Sequence, residues 1–247
     1  MPRVLAAAPE ATVVVPDPVV ALAAGDAVHP VWRNELGGLT FRLTGPSGER
    51  YVKWVAAGTP ELDLDAEADR LAWAGRYTAV PRVLERGADA TGRWLVTAGI
   101  AGRSAVDPHW LARPETAARA LGAGLRALHE SLPVGECPFS WSVGERVARL
   151  SPAARAQVGE VPDDDRVVVC HGDPCAPNTL LDDDGRWTAH VDLDALGVAD
   201  RWADLAVASY SLGWNYGDGH EAAFFDAYGI APDTERIGFY RRLWDLG

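Results

Sequence analysis

The spacing of apolar residues changes near Gly99, and this change constrains the fold more than any other feature of the chain. Before it, residues 39–43 and 50–55 alternate large side chains on either side of a Gly45-Pro46-Ser47-Gly48 cluster. That is the pattern of two antiparallel strands joined by a turn. Further strands are predicted at 81–84 and 94–97 around a loop at 87–92. A helix is predicted over 62–77, where Leu64, Leu71 and Trp73 fall on or near one face. After Gly99 the helical period takes over. Residues 114–132 are rich in alanine and leucine and are stopped by Pro133, as suits a long buried helix. Residues 167–170 form a continuous apolar run fit for a buried strand, and 180–181 and 187–193 read as a hairpin about the turn 182–185. Helices are predicted at 202–212, 220–228 and 234–243. The expected class is α+β, with a small β-rich part over residues 1–98 and a larger, mainly helical part over 99–247.

At 247 residues, with 48% hydrophobic side chains and ten tryptophans, the chain can bury a substantial core. Its apolar stretches at 6–8 and 13–15 are cut by Pro9, Glu10, Pro16 and Asp17, far short of the roughly 20 residues that span a bilayer. Arg3 followed by an alanine run broken by proline and acid matches a signal peptide poorly. No membrane partner and a cytoplasmic location are therefore expected. Cys137, Cys170 and Cys175 cannot pair completely, and they lack the second ligand pair of a structural zinc site. A net charge of −12 argues against nucleic acid, whose binding needs clustered positive charge. It suits plain solubility first and a cationic small molecule second.

Among 23 basic residues only one, Lys53, is lysine. It falls on the second strand of the first hairpin, where a compact ammonium could meet phosphate oxygens if a helix carboxylate fixed it. Glu67 is the candidate carboxylate, with Asp63, Asp65 and Asp69 as neighbours on the same helix. The second constellation is His171-Gly172-Asp173-Pro174-Cys175-Ala176-Pro177-Asn178, followed fourteen residues after the asparagine by Asp192. Phosphoryl transfer needs positioning and charge neutralisation more than covalent help, so a carboxylate beside the attacking hydroxyl and oxygen ligands for Mg²⁺ suffice. Asp173 would orient or deprotonate the acceptor hydroxyl, and Asn178 and Asp192 would hold the metal. His171 reads as an architectural residue of this loop. Taken singly, Asp173 and Asn178 could be ordinary turn residues and Asp192 a strand-end cap. In this order, after a strand lysine and a helix glutamate, chance is a poor explanation.

These motifs, with Val191-Asp192 and Ala199-Asp200-Arg201-Trp202-Ala203-Asp204-Leu205-Ala206, resemble those of the aminoglycoside phosphotransferase family. Glu67-x5-Trp73, Val80-Pro81-Arg82-Val83, Leu128-His129 and Phe239-Tyr240 extend the resemblance from about residue 30 to the C-terminus. It implies a protein-kinase-like bilobal fold with ATP, or GTP, in the cleft, Mg²⁺, and a cationic aminoglycoside acceptor. It also implies a hinge at 97–101, where Thr97, Ala98 and Ile100 would meet the nucleotide base. Asp204 would brace the catalytic loop, and Asp200 and Asp245 would serve the substrate side. Within the family, Trp214-Asn215-Tyr216-Gly217 and Leu243-Trp244-Asp245-Leu246-Gly247 look most like streptomycin 3''-phosphotransferases, enzymes of antibiotic resistance. Streptomycin's guanidinium groups suit bidentate carboxylates. A monomer or weak dimer is expected.

The chain departs from the family pattern at Asp194-Ala195, where glycine and arginine are usual. It also lacks a Gly-x-Gly-x-x-Gly loop, which leaves residues 34–39 as the turn expected to cover the phosphates. The competing readings are a kanamycin- or neomycin-type 3'-phosphotransferase, another small-molecule kinase of the same fold, and a nucleotide-binding pseudokinase. A metal-dependent hydrolase ranks last, because the six histidines are scattered along the chain.

Overall fold

Alternation in the sequence becomes a sheet whose buried face can be read residue by residue. In strand β3 (Leu39–Gly45), Phe41 and Leu43 are fully buried while Thr40 and Arg42 remain partly exposed, as a period of two requires. The structure is a computed structural model that describes residues 6–7, 13–34, 37–46, 48–59 and 63–247. Arg3, residues 8–10, Glu35 and Leu36 of the expected phosphate-covering turn, Ser47 and Leu62 lie outside the described residues. The chain divides into two compact units: residues 1–75 with 81–100, and residues 76–80 with 101–247. The division at 100/101 lies two residues beyond the expected one. The short segment 76–80 that belongs to the second unit is tied to it by a backbone bond, His190 N–H to Ala79 O at 3.3 Å.

Among the described residues, the first unit is a six-stranded antiparallel sheet with two helices. Its strands are β1 (Ala6–Ala7), β2 (Ala27–Asn34), β3, β4 (Gly48–Ala56), β5 (Val83–Ala88) and β6 (Gly92–Ala98), in the order β1-β2-β3-β4-β6-β5. The predicted hairpin is β3–β4, closed by the pairing of Gly45 with Gly48. Phe41, Leu43, Val52 and Val96 pack with Val19 and Ala23 of α1 (Asp17–Ala23) into one core. Helix α2 (Leu64–Ala74) starts at Asp63, whose side chain caps the amides of Asp65 and Ala66, and it stops three residues short of the expected end. The loop predicted at 87–92 shrinks to a tight turn. Gly87 is a strand residue across which the Trp94 ring lies, a Cβ there falling 2.5 Å from that ring.

The second unit carries β7 (Arg103–Ser104), α3 (Pro108–Leu111), α4 (Pro114–Ser131), α5 (Val143–Arg149), α6 (Pro152–Arg155) and β8 (Val167–Cys170). It continues with β9 (Thr179–Leu181), β10 (Trp187–His190), β11 (Gly197–Asp200), α7 (Trp202–Tyr216), α8 (Glu221–Tyr228) and α9 (Thr234–Leu246). Two small sheets, β10-β9-β7 and β11-β8, present the loops between them. Helices α4 and α8 cross closely because position 122 is glycine: a Cβ there would lie 2.2 Å from Phe224 O. No helix of the described residues is long and apolar enough to cross a membrane.

Candidate active site

The lone lysine meets the predicted glutamate. Lys53 lies on the central strand β4, paired to Thr40 and Leu95 on either side, and its Nζ contacts Glu67 Oε1 at 2.7 Å. Glu67 is 3% exposed. The neighbouring acids are committed elsewhere, which explains why it is the partner. Asp63 caps α2, and Asp65 and Asp69 face Arg86 at 3.6 and 2.8 Å. A carboxylate this buried holds an ammonium in one place, as phosphate binding requires. Along the expected hinge, Thr97 is paired within the sheet. The Ala98 amide donates to Arg82 O at 2.9 Å and that of Gly99 to Glu49 O at 2.7 Å. The expectation for Ala98 is thereby narrowed, because its N–H is already used and only its carbonyl could face a base. The Ile100 amide donates to no described backbone carbonyl.

In the second unit, β8 ends at Cys170 and delivers the residues 171–178 as a fixed loop. Asp204, fully buried on the first turn of α7, accepts from His171 N at 2.6 Å, Gly172 N at 2.9 Å and His129 Nε2 at 3.0 Å. Tyr228 holds the other His129 nitrogen at 2.9 Å. Burial alone would raise the Asp204 carboxyl, but the His129 hydrogen bond and charge, with His171 and the Gly172 amide, hold it below the ordinary carboxylate value. Gly172 must be glycine, since φ is +88° and a Cβ would lie 2.2 Å from Ala195 O. That contact locks the loop against the segment 192–196. His171 is architectural, as expected. Its Nδ1 accepts from Asp173 N at 3.3 Å, and its Nε2 donates to Val191 O at 3.1 Å.

Asp173, Asn178 and Asp192 come together here. Asn178 Nδ2 donates to Asp173 O at 3.0 Å and to Asp173 Oδ2 at 3.2 Å, which turns its amide oxygen the other way. Val191 N–H donates to Asn178 O at 3.0 Å, tying the asparagine to the segment that bears Asp192. Strand β10 stops at His190, so Asp192 is not the strand-end residue expected from the sequence. It sits half-buried at φ +63°, a left-handed conformation rare outside glycine, and Leu193 and Leu196 are buried just beyond it. Asp173 Oδ1 is buried with no hydrogen-bond partner among the described residues. Burial pushes the Asp173 carboxyl above its ordinary value and the Asp192 charge adds to this, against the opposing pull of Cys175 and His171.

The donor set fits a magnesium ion. Asn178 and Asp192 can offer hard oxygen atoms, and the Asn178 amide oxygen is free to turn outward because its nitrogen donates to Asp173. A second cluster does not fit a metal. Donor atoms of His129, Cys170 and Asp204 lie within 4.8 Å of one another. Both Asp204 oxygens, however, already accept N–H groups, and Cys170 Sγ faces Asp200 O at 3.4 Å.

Two substrate-side expectations fare differently. Asp200 is corrected. It is buried, and its carboxylate accepts from the amides of Asp165, Arg166 and Trp202 at 2.6, 3.0 and 2.9 Å. It ties the segment before β8 to the start of α7 and has no side left for a ligand. Asp245 is exposed on α9, where Tyr210 OH donates to it at 3.4 Å. Sequence reasoning missed Ser211, whose Oγ accepts from Ala176 N at 2.8 Å and pins the catalytic loop to α7. It also missed Tyr228, and no local signal marked either residue. His129 stood in a matched Leu-His pair without an assigned role.

A strand lysine fixed by a buried helix glutamate, together with a braced loop of aspartates and asparagine, defines a phosphoryl-transferring enzyme of the kinase-like α+β class. Residues 34–240 match the phosphotransferase enzyme family. An aminoglycoside 3'-phosphotransferase of Streptomyces fradiae is 36% identical over 253 residues, covering 87% of this chain and 93% of that protein. A streptomycin 3''-kinase of Streptomyces griseus is 35% identical over 251 residues, covering 86% and 89%. Among solved structures, aminoglycoside phosphotransferase APH(3'')-Id from Streptomyces rimosus, in complex with ADP and streptomycin, matches with a TM-score of 0.69 and 30% identity. That match covers 94% of this chain and 99% of the other. The chain belongs to the phosphotransferase enzyme family, and the resemblance read from its motifs is borne out.

Proposed function

We propose that the protein transfers the γ-phosphoryl group of a magnesium-bound nucleoside triphosphate, ATP or GTP, to a hydroxyl of an aminoglycoside antibiotic and so confers resistance to it. The observation that carries this reading is the buried, unpartnered Oδ1 of Asp173, set beside Asn178 and the Asp192 segment. A carboxylate raised above its ordinary value is a better proton acceptor than an exposed one, so Asp173 orients the acceptor hydroxyl and receives its proton as the O–P bond forms. Lys53, held by Glu67, contacts the nucleotide phosphates. Magnesium, held by Asn178 and Asp192, would neutralise the charge on the phosphate oxygens. The Ile100 amide and the Ala98 carbonyl are the groups offered to the base. All three cysteines are free, as suits a reducing cytoplasm.

The acceptor we place first is streptomycin, at its 3''-hydroxyl, on the likeness of residues 214–217 and 243–247 to that subclass. The 36% identical relative acts at a 3'-position by its name and supports a kanamycin- or neomycin-type acceptor equally. Both are tested by nucleotide turnover with Mg²⁺ and a panel of streptomycin, kanamycin, neomycin and homoserine, beside Asp173→Ala. We expect aminoglycoside-dependent turnover that falls by about 10²- to 10⁴-fold in the variant while nucleotide binding is retained. Turnover unchanged by Asp173→Ala would sink the assignment of the base. Tight nucleotide binding without turnover of any acceptor would point to the pseudokinase reading.

A further inference from the structure

The turn that carries Asn178 is too short to satisfy its own backbone, and its polar groups are met from several sides. Asn178 N donates to Cys175 O at 2.9 Å, Val191 N to Asn178 O at 3.0 Å, and Ala105 N to Thr179 O at 2.8 Å. The Ala176 amide and the Pro177 carbonyl are each met by a serine hydroxyl instead. Ser211, fully buried on α7, accepts from Ala176 N at 2.8 Å, and Ser104, at the end of β7, donates to Pro177 O at 2.9 Å. The two serines are themselves fixed. Asn215, one turn beyond Ser211, donates Nδ2 to Ser211 O at 2.8 Å and to Ser211 Oγ at 3.1 Å. The next residue, Tyr216, donates its hydroxyl to Ala105 O at 2.7 Å, beside Ser104. Helix α7 thus holds the end of β7, and the two together hold the turn between them. A buried amide or carbonyl left without a partner is costly, so these bonds decide where the turn lies. Asn178 in turn bonds Asp173 through Nδ2, at 3.0 and 3.2 Å, so the position of the turn is passed on to Asp173.

We infer that Ser104 and Ser211, backed by Tyr216 and Asn215, are positioning residues of the phosphoryl transfer, a bracket that sets Asn178 for magnesium and, through it, Asp173 for the acceptor hydroxyl. The inference rests on the phosphotransfer reading and deepens it. A ligand oxygen has to stand about 2.0–2.1 Å from magnesium in a near-octahedral array, a narrower demand than a hydrogen bond makes. Misplacing a reacting group by about 1 Å can cost on the order of 10²-fold in rate, and removing a group that orients a metal ligand typically costs about 10- to 100-fold in metal affinity or activity. Asn215 and Tyr216, which in the sequence marked only a likeness to one subclass, act on the catalytic loop from behind.

The test compares Ser211→Ala, Ser104→Ala, Ser104→Thr and Tyr216→Phe with the parent as full-length proteins. Calorimetry gives ADP affinity with and without Mg²⁺, and turnover of the aminoglycoside that the parent accepts gives kcat and KM. In both serine-to-alanine variants kcat should fall by about 10- to 100-fold, and the gain in ADP affinity that Mg²⁺ brings should fall by about fivefold or more. Magnesium-free ADP affinity and acceptor KM should stay within about twofold, because the bracket touches neither the nucleotide nor the acceptor. Ser104→Thr keeps the hydroxyl and should stay within about threefold of the parent, while Tyr216→Phe should show the alanine pattern in weaker form. Should Ser211→Ala fail to fold, Ser104→Ala and Tyr216→Phe decide the matter, since each removes one oxygen from a half-buried side chain. An unchanged kcat and magnesium gain in the alanine variants overturns the bracket, as does an ADP affinity indifferent to Mg²⁺ in the parent. So does a loss in Ser104→Thr equal to that in Ser104→Ala, or a fall in magnesium-free ADP affinity matching the fall in kcat, which would mark general loosening. A magnesium gain that depends on the serines in a protein that phosphorylates no acceptor would uphold the positioning of Asn178 and refute the phosphotransfer reading.

Discussion

Asp173 is held in a state that opposes folding, and this can be measured apart from catalysis. A carboxyl whose folded value is raised binds its proton more readily in the folded chain, so at neutral pH its ionised form lowers stability. The penalty is fully present above the raised value and fades as the pH falls through it toward the ordinary 3.8. Asp173→Asn removes the charge and keeps the shape and the contact with Asn178. It should abolish turnover and yet raise Tm by about 2–4 °C near neutral pH, and the gain over the parent should shrink as the solution is acidified. Thermal unfolding of both proteins across that range checks the sign. A lower Tm in Asp173→Asn at neutral pH would mean that Asp173 serves the fold. Which residues come together was legible in the sequence to different degrees. Lys53, Glu67, Asp173 and Asn178 could be named because each belongs to an ordered motif. Asp200 was misassigned because a carboxylate spent on three backbone amides looks in sequence like one facing a ligand.

Elements were legible where one periodicity dominated and illegible where proline or glycine carried two meanings. Strand β8 and the start and end of α8 matched their predicted spans almost residue for residue, because those runs are purely apolar or purely helical in period. Helix α1 and strand β2 were not anticipated. Pro16 and Asp17, read in sequence as interrupting an apolar run, are the cap and first residue of α1, and Pro18 fits its first turn; Pro30 sits beside a bulge in β2. Gly122 shows the opposite case, a glycine inside a helix that packing demands. Adding Ala there should gain about 1 kcal/mol of helix propensity. The new Cβ would, however, meet Phe224 O at 2.2 Å and Tyr228 N at 3.1 Å, both backbone atoms that cannot swing aside. Overpacking of this kind costs about 1–3 kcal/mol, and two backbone atoms in the way put it at the upper end, so Gly122→Ala should destabilise by up to about 2 kcal/mol net. It should also disturb the bond from Tyr228 to His129, and through Asp204 the catalytic loop. Gly213→Ala, on a helix with open space, is the control and should raise Tm slightly. Equal effects from the two would show that α4 and α8 are not in close contact.

At the scale of the whole chain the informative quantity is charge, which no single contact displays. The molecule carries −12 at neutral pH with a sequence pI near 4.9, so its averaged field attracts any polycationic acceptor and repels a nucleoside triphosphate. Composition alone could not separate this from a device for solubility. A rate measured against ionic strength can. Attraction over many ångströms is screened once the Debye length falls from about 10 Å at 0.1 M salt to about 3 Å at 1 M, whereas a close contact in a part-buried site is screened much less. If the acidic surface gathers substrate, kcat/KM for the aminoglycoside should fall by about tenfold or more between 0.05 and 0.5 M potassium chloride. Over the same range kcat/KM for the nucleotide should stay level or rise, and kcat should hold steady because chemistry follows capture. If the charge serves solubility alone, both kcat/KM values will move together and weakly. The opposite slopes for the two substrates are the signature, because a general effect of salt on stability would depress both.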